Sequence, residues 1–197
     1  MPKAWTFPTS INVGGVDYKI NTHYMAVLDL FSALNDPECF GDNEEEKNRN
    51  HARLILEIMI PDCYNIPPEY FQDAISKVFD FIDMGIKDDK SKIKTMDWEQ
   101  DAPILIPPIN KVLGKEIRTM EYLHWWTFLG AYMEIGESLF SNVIHIRQKR
   151  AKGKKLEKWE EEFYKENKSL IDFEKKVHRS EEEKKVLTNY LYGHKKK

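Results

Sequence analysis

The chain has 197 residues, of which 41% are hydrophobic, 12% aromatic and 32% charged, a soluble globular composition that is too aromatic for a disordered chain. A chain of this length buries roughly 70% of its unfolded surface and folds without a staple, and its two cysteines, Cys39 and Cys63, are too few for a disulfide framework and fit a reducing compartment. No apolar run approaches the ~18 residues of a membrane span, and the first ten residues lack the uninterrupted apolar stretch of a secretory signal.

The net charge of −3 conceals a division. Residues 147–197 hold 17 Lys+Arg against 10 Asp+Glu, a net of +7, which leaves 13 basic and 23 acidic residues, a net of −10, in residues 1–146. An acidic body followed by a basic tail implies two surfaces with different partners, or a tail folded onto its own body. The chain therefore divides into an acidic, mostly helical core domain over 1–150 and a basic helical extension over 151–197, packed on the core or trailing from it.

Ile11-Asn12-Val13 and residues 16–20 alternate apolar and polar around Gly14-Gly15, the signature of a short β-hairpin over about 10–20. Asn21 or Thr22 is positioned to cap a helix whose inner face is Tyr24, Val27, Leu28, Phe31 and Leu34, stopped by Asn35-Asp36-Pro37. Residues 38–50 read as a polar, acidic loop, and 51–59 as a helix with an apolar band (Leu54, Ile55, Ile58, Met59) ending before Pro61. Pro67-Pro68 opens the next helix, which runs to about Met84 with Phe71, Ile75, Val78, Phe79 and Ile82 inward and Gly85 at its end. Residues 86–95 read as an exposed loop.

Asp97-Trp98-Glu99-Gln100 has the form of a capping box. Pro107 and Pro108 interrupt the following apolar run, so a break or kink is expected there. The most aromatic segment is 120–133, with Tyr122, Trp125, Trp126, Phe128 and Tyr132; beyond Gly136 a helix holds Leu139, Phe140, Val143 and Ile144, with Ile146 as a further candidate, and runs into the basic stretch 147–155, where Gly153 is a weak point. Leu156, Trp159 and Phe163 mark one face of a further helix, with Glu161–Lys165 an exposed pair. Ser180 and Glu183 form a second capping box before Val186, Leu187, Tyr190 and Leu191, with Gly193 closing the last helix. The fold class is mainly α: a multi-helix domain with a short N-terminal β-hairpin and a basic helical C-terminal segment.

Motifs of catalysis are not evident. The six histidines are scattered without a metal-ligand spacing, and there is no Gly-rich phosphate loop and no G-x-S-x-G. The reading assigns no catalytic, cofactor-binding or metal residue. Asp97, Glu99 and Asp101 can hold a divalent cation, but acids at the positive end of a helix followed by Pro103 are ordinary helix-start chemistry, which is preferred. His124-Trp125-Trp126 is either a stacking platform or core; adjacent helical residues diverge by about 100°, so at least one Trp belongs in the core. The basic stretch 147–155 either contacts phosphates or is a solvated helix end, and the latter is preferred because interleaved aromatics are missing. The candidate partner-binding residues are Tyr122, Trp125, Trp126, Arg147, Lys149, Arg150, Lys154 and Lys155.

In combination, several segments resemble a bacteriophage family labelled gene product fifteen, found in tail gene clusters of phages and prophages of Gram-positive bacteria. They are Phe7-Pro8-Thr9-Ser10 with the hairpin and Ile20-Asn21-Thr22, then Asp97-Trp98-Glu99-Gln100-Asp101-Ala102-Pro103, and above all Glu121-Tyr122-Leu123-His124-Trp125-Trp126-Thr127-Phe128-Leu129. Gly136-Glu137-Ser138-Leu139-Phe140, Ile146-Arg147 and Lys154-Lys155-Leu156-Glu157-Lys158-Trp159 follow in the same order, so that the resemblance spans about residues 7–170.

The resemblance implies a non-enzymatic protein in the gene position of tail assembly chaperones. Its partner would be the tape-measure protein, the major tail (tube) protein or both, in the host cytoplasm and not in the finished virion. Self-association is a further option. A helical, aromatic-rich protein with seven Met suits an adaptable apolar groove. The alternatives are a structural tail or neck component retained in the virion and, ranked behind it, a nucleic-acid binder using residues 147–155. A membrane partner is not expected.

Overall fold

The computed structural model describes residues 6–36, 43–86 and 93–174. The chain is mainly α, with a two-stranded hairpin at its start. Strand β1 (Ser10–Val13) pairs antiparallel with β2 (Val16–Lys19), Val13 opposite Val16 and Ile11 opposite Tyr18. Gly14 and Gly15 have φ of 57° and 85°, the positive angles that a two-residue hairpin turn requires. At Gly14 space also decides, because a Cβ there would stand 2.9 Å from the Tyr70 ring. Ile11, Val13 and Tyr18 face inward, which fixes the register, since a one-residue slip would turn them to water.

The helices are α1 (Tyr24–Leu34), α2 (Glu44–Met59), α3 (Phe71–Ile82), α4 (Ala102–Leu113), α5 (Trp125–Met133), α6 (Leu139–Ala151), α7 (Lys158–Glu166) and α8 (Lys168–Ile171). Packing runs through them in one line of neighbours: β1 lies against α3, α3 against α2, α2 against α1, α1 against α5, α5 against α4, α4 against α6, and α6 against α8. A single apolar core follows this line from Ile11 and Val13, through Leu30, Met59, Val78, Ile109 and Trp125, to Ile146 and Ile171. The boundary drawn at 150/151 falls in the last turn of α6, and α8 beyond it buries Ile171 in the same core.

Several local expectations are corrected. Helix α1 is capped by His23, whose Nδ1 accepts the Met25 amide at 3.3 Å, and not by Asn21 or Thr22. Helix α2 begins within the stretch read as a loop: the Asn43 side chain accepts the Glu46 amide, and Glu44, Glu45 and Glu46 lie at the positive end of the helix dipole. In α3, Val78 and Ile82 are buried and Ile75 and Phe79 pack against the core as expected, but Ala74 and Phe81 are buried too and Phe71 is exposed. Helix α4 is continuous through Pro107 and Pro108; neither ring supplies an N–H to the carbonyls of Pro103 and Ile104, and of these two residues Pro103 is exposed, where that loss costs least, while Ile104 is buried.

In α7, Trp159 is exposed and Glu160 is buried. Residues 87–92 of the expected loop, Pro37, Cys39, and the last helix with its Ser180–Glu183 box and Gly193 lie outside the described residues. Among the described residues, no helix is long and apolar enough to cross a membrane.

Candidate functional site

The aromatic segment is organised by two histidines. His23 and His124 form an isolated antiparallel bridge, with the Tyr24 amide donating to the Leu123 carbonyl (3.0 Å) and the Trp125 amide to the Thr22 carbonyl (2.7 Å). Helices α1 and α5 therefore spring from one paired junction, each capped by its own histidine. The His124 Nδ1 accepts the Trp126 amide at 3.1 Å, and its Nε2 lies 3.2 Å from the Pro8 carbonyl, so the proton belongs on Nε2. Each helix buries residues at the same offsets from its cap, Tyr24, Val27 and Leu30 in one and Trp125, Phe128 and Ala131 in the other. Burial holds both imidazoles below the ordinary histidine pKa, against a smaller opposing pull from Asp29 on His23 and from the Pro8 carbonyl on His124.

The two adjacent tryptophans take different roles. Trp125 is 1% exposed and donates its Nε1–H to the Ile82 carbonyl (2.8 Å); it packs in an aromatic cluster with Phe31, Trp98 and Phe128. Trp126 is half-buried, donates to the Phe81 carbonyl (2.8 Å) and stacks on the Phe81 ring. Both indoles thus fasten α5 to the C-terminal carbonyls of α3. Tyr122 is exposed, its hydroxyl 2.6 Å from that of Thr22.

The residues of the basic stretch separate in the same way. Arg147 lies inside the protein, its side chain 3% exposed against 1% for Asp101. Its guanidinium donates to both Asp101 oxygens (2.6 and 2.9 Å) and to the carbonyls of Ile171 (2.7 Å), Leu170 (2.6 Å) and Thr95 (3.3 Å). Lys149 donates to both oxygens of the buried Glu160 (2.6 and 2.9 Å). Arg150 pairs with Asp172 (2.5 Å) and lies over the Tyr164 ring. Lys154 and Lys155 are exposed and, among the described residues, have no ion-pair partner. Of the eight candidate residues, Trp125 and Arg147 are therefore buried, while Tyr122, Lys154 and Lys155 are exposed.

The acidic trio is helix-start and core chemistry. Asp97 accepts the amides of Glu99 (3.1 Å) and Gln100 (3.2 Å) and pairs with Lys94 (2.7 Å). Burial pushes its carboxyl up, but the bonds from Lys94, Gln100 and Glu99 together outweigh burial and hold it below the usual range. Asp101 is taken by Arg147 and by the Asp97 amide, and Glu99 by the Ser32 hydroxyl. Among the described residues, no group of three or more His, Cys, Asp or Glu is placed to hold a metal ion.

Two of the surface grooves among the described residues bear on binding. One, of about 850 Å³, lies between the hairpin, α3 and Trp126. The other, of about 550 Å³, runs along the proline face of α4 (Pro103, Pro107, Pro108, Val112) opposite the α5–α6 connection at Gly136 and Leu139. Its rim exposes Val112 at 42% and Leu139 at 44%. Sequence reasoning found the tryptophans but missed both histidine caps, the partnership of Trp98, and the Asp101–Arg147 pair. The signal for the caps was present, because His-Tyr-Met and His-Trp-Trp each open an apolar helix.

The family description for the bacteriophage Gp15 protein matches residues 6–173. The chain belongs to the bacteriophage Gp15 protein family and is a phage-related protein. No curated protein and no solved structure matches it.

Proposed function

We propose that this protein is a non-enzymatic tail morphogenesis factor, a tail assembly chaperone that keeps the tape-measure protein soluble in the host cytoplasm until tail-tube subunits surround it, and that it leaves before the virion is complete. The observation that carries this reading is the groove on α4, where exposed Val112 and Leu139 lie beside Pro103, Pro107 and Pro108 and form a continuous apolar lining. A long helical chain without its tube exposes apolar side chains at i, i+3, i+4 and i+7, and a groove of this kind covers them one or two turns at a time. Lys111, Glu134 and Glu137 also line the groove, charges that would orient a helix without holding it tightly. Release requires contacts of modest strength, of the order of micromolar, about −8 kcal/mol.

The test is co-expression of the tape-measure protein of the same phage with this protein, wild type or Val112→Glu/Leu139→Glu. The wild type should return soluble tape measure in complex and the double variant should not, while melting like the wild type. Tape measure that is equally soluble with both, or a stoichiometric amount of this chain in mature particles, would remove the reading.

A further inference from the structure

We infer that the free edge of β1 binds an extended peptide segment with alternating apolar and basic side chains, adding it to the hairpin as a third strand in the groove beside α3. In a two-residue hairpin the pair flanking the turn exchanges its hydrogen bonds, and inward and outward pairs alternate from there. Val13↔Val16 and Ile11↔Tyr18 are therefore the inward pairs, and the Ile20 amide continues the series to the Thr9 carbonyl at 3.1 Å. The N–H and C=O groups of Ser10 and Asn12 turn the other way, and among the described residues none of them has a partner. Both residues line the 850 Å³ groove. An unpaired strand edge is a template for another strand, and this one is held rigid, with Ile11 and Val13 buried behind it and the Asn12 side chain bonded to Asp17 (2.7 Å).

The groove also states what side chains it takes. Its apolar floor is Phe81, Met84 and the half-buried face of Trp126, and its far wall is one face of α3 bearing Asp73, Lys77 and Asp80. Among the described residues none of these three has an ion-pair partner. Two carboxylates against one ammonium favour cations on an entering strand, and the period of two along a strand sends alternate side chains to the floor and to the rim. A second copy of this chain fits worse: its own edge, Ser-Ile-Asn-Val, carries no cation, and it would bring a second Asp73 and Asp80 against the first. This site is separate from the groove on α4 and stands or falls independently of the chaperone reading.

The test uses the full chain and three blocked seven-residue peptides in which valine alternates with lysine, serine or glutamate. The lysine peptide should bind about tenfold more tightly than the serine peptide and the glutamate peptide least, with the lysine preference shrinking as salt rises. At saturation, amide exchange at Ser10 and Asn12 should slow by about tenfold or more. Asn12→Pro removes an outward N–H that serves no ladder bond, and should abolish binding; N-methylation of the peptide's central amides should do the same without touching the protein. Asp73→Asn with Asp80→Asn should bring the lysine peptide to the level of the serine peptide. Unchanged exchange at Ser10 and Asn12, equal binding of methylated and unmethylated peptides, or a preference for glutamate would each overturn the inference. So would slow exchange at both amides in the free protein, which would assign the edge to a second copy if it grew with concentration and to the chain's own remainder if it did not.

Discussion

Replacing Arg147 with methionine keeps most of the side chain's volume and removes five hydrogen bonds, two to Asp101 and three to the carbonyls of Ile171, Leu170 and Thr95. The Asp101 carboxylate, 1% exposed, would keep only the Asp97 amide as a donor. Breaking a buried ion pair by deleting one member costs about 3–5 kcal/mol, and each carbonyl left without its donor adds roughly 1 kcal/mol where water cannot reach it. Since these contributions overlap, the expected loss is ~4–6 kcal/mol. In a chain of this size each kcal/mol moves Tm by roughly 2–4 °C, so Arg147→Met should melt about 10–20 °C below the wild type, measured by circular dichroism and by urea midpoint. Adding Asp101→Asn should restore about 1–2 kcal/mol, because the stranded charge is then gone. A loss below about 1 kcal/mol for Arg147→Met would mean that the guanidinium is not buried in solution, and would return this residue to the surface where the charge pattern alone had put it.

Three further outcomes follow from the same geometry. His23 and His124 are held neutral below the ordinary pKa of 6.5, so on acidification the unfolded chain takes up protons before the folded one; stability is flat above about pH 7 and falls as pH drops below 6.5. The urea midpoint of the wild type should fall from pH 7.5 to pH 5 more steeply than that of His23→Asn/His124→Asn, whose caps do not titrate, and equal slopes would contradict the cap assignment. Trp125→Ala should cost ~3–5 kcal/mol and the half-buried Trp126→Ala less, ~1–3 kcal/mol; the reverse order in chemical denaturation would mean that the two indoles exchange places. Lys149→Glu with Arg150→Glu should lower Tm by breaking the contacts to Glu160 and Asp172, with no duplex-DNA binding at physiological salt to lose; strong binding by the wild type that falls steeply with salt in fluorescence anisotropy would instead favour the nucleic-acid reading.

What was legible in the sequence is what local chemistry dictates. The Gly14-Gly15 turn and most of the inner face of α1 follow from backbone freedom and period. In α6 Leu139 is exposed where the period put it inside. Asp97 accepts the Glu99 and Gln100 amides, but Asp101 stands at the start of α4 and the Gln100 side chain donates to the Asp172 carbonyl, so the expected capping box does not close. The errors lie where a local rule has two outcomes. Histidine is an uncommon cap, yet a neutral imidazole nitrogen accepts an amide as an asparagine oxygen does, so the cap of α1 was sought one or two residues too early. Asn43 followed by three glutamates carries the marks of a helix start, but acidity made it look like a loop. Two consecutive prolines forbid two intrahelical donors without forbidding helical dihedrals, and α4 continues through them.

The candidate site was half legible, because charge and aromaticity do not tell the inside of a protein from its surface. Arg147 and Lys149 stand in one basic run, but Arg147 serves the core and Lys149 a buried glutamate, while Lys154 and Lys155 face water. Only partners 46 residues away for Arg147 and 11 away for Lys149 make that distinction, and no window along the chain contains the first of them.

The proposed role is to lend an apolar surface to an unfinished tail component. The most direct measurement is quantitative mass spectrometry of the tape-measure complex purified from infected cells and of the finished particles from the same culture. The account predicts this chain in the former, at fixed stoichiometry, and its absence from the latter. A chain missing from the complex, or present in particles at the copy number of a tail ring, would contradict it.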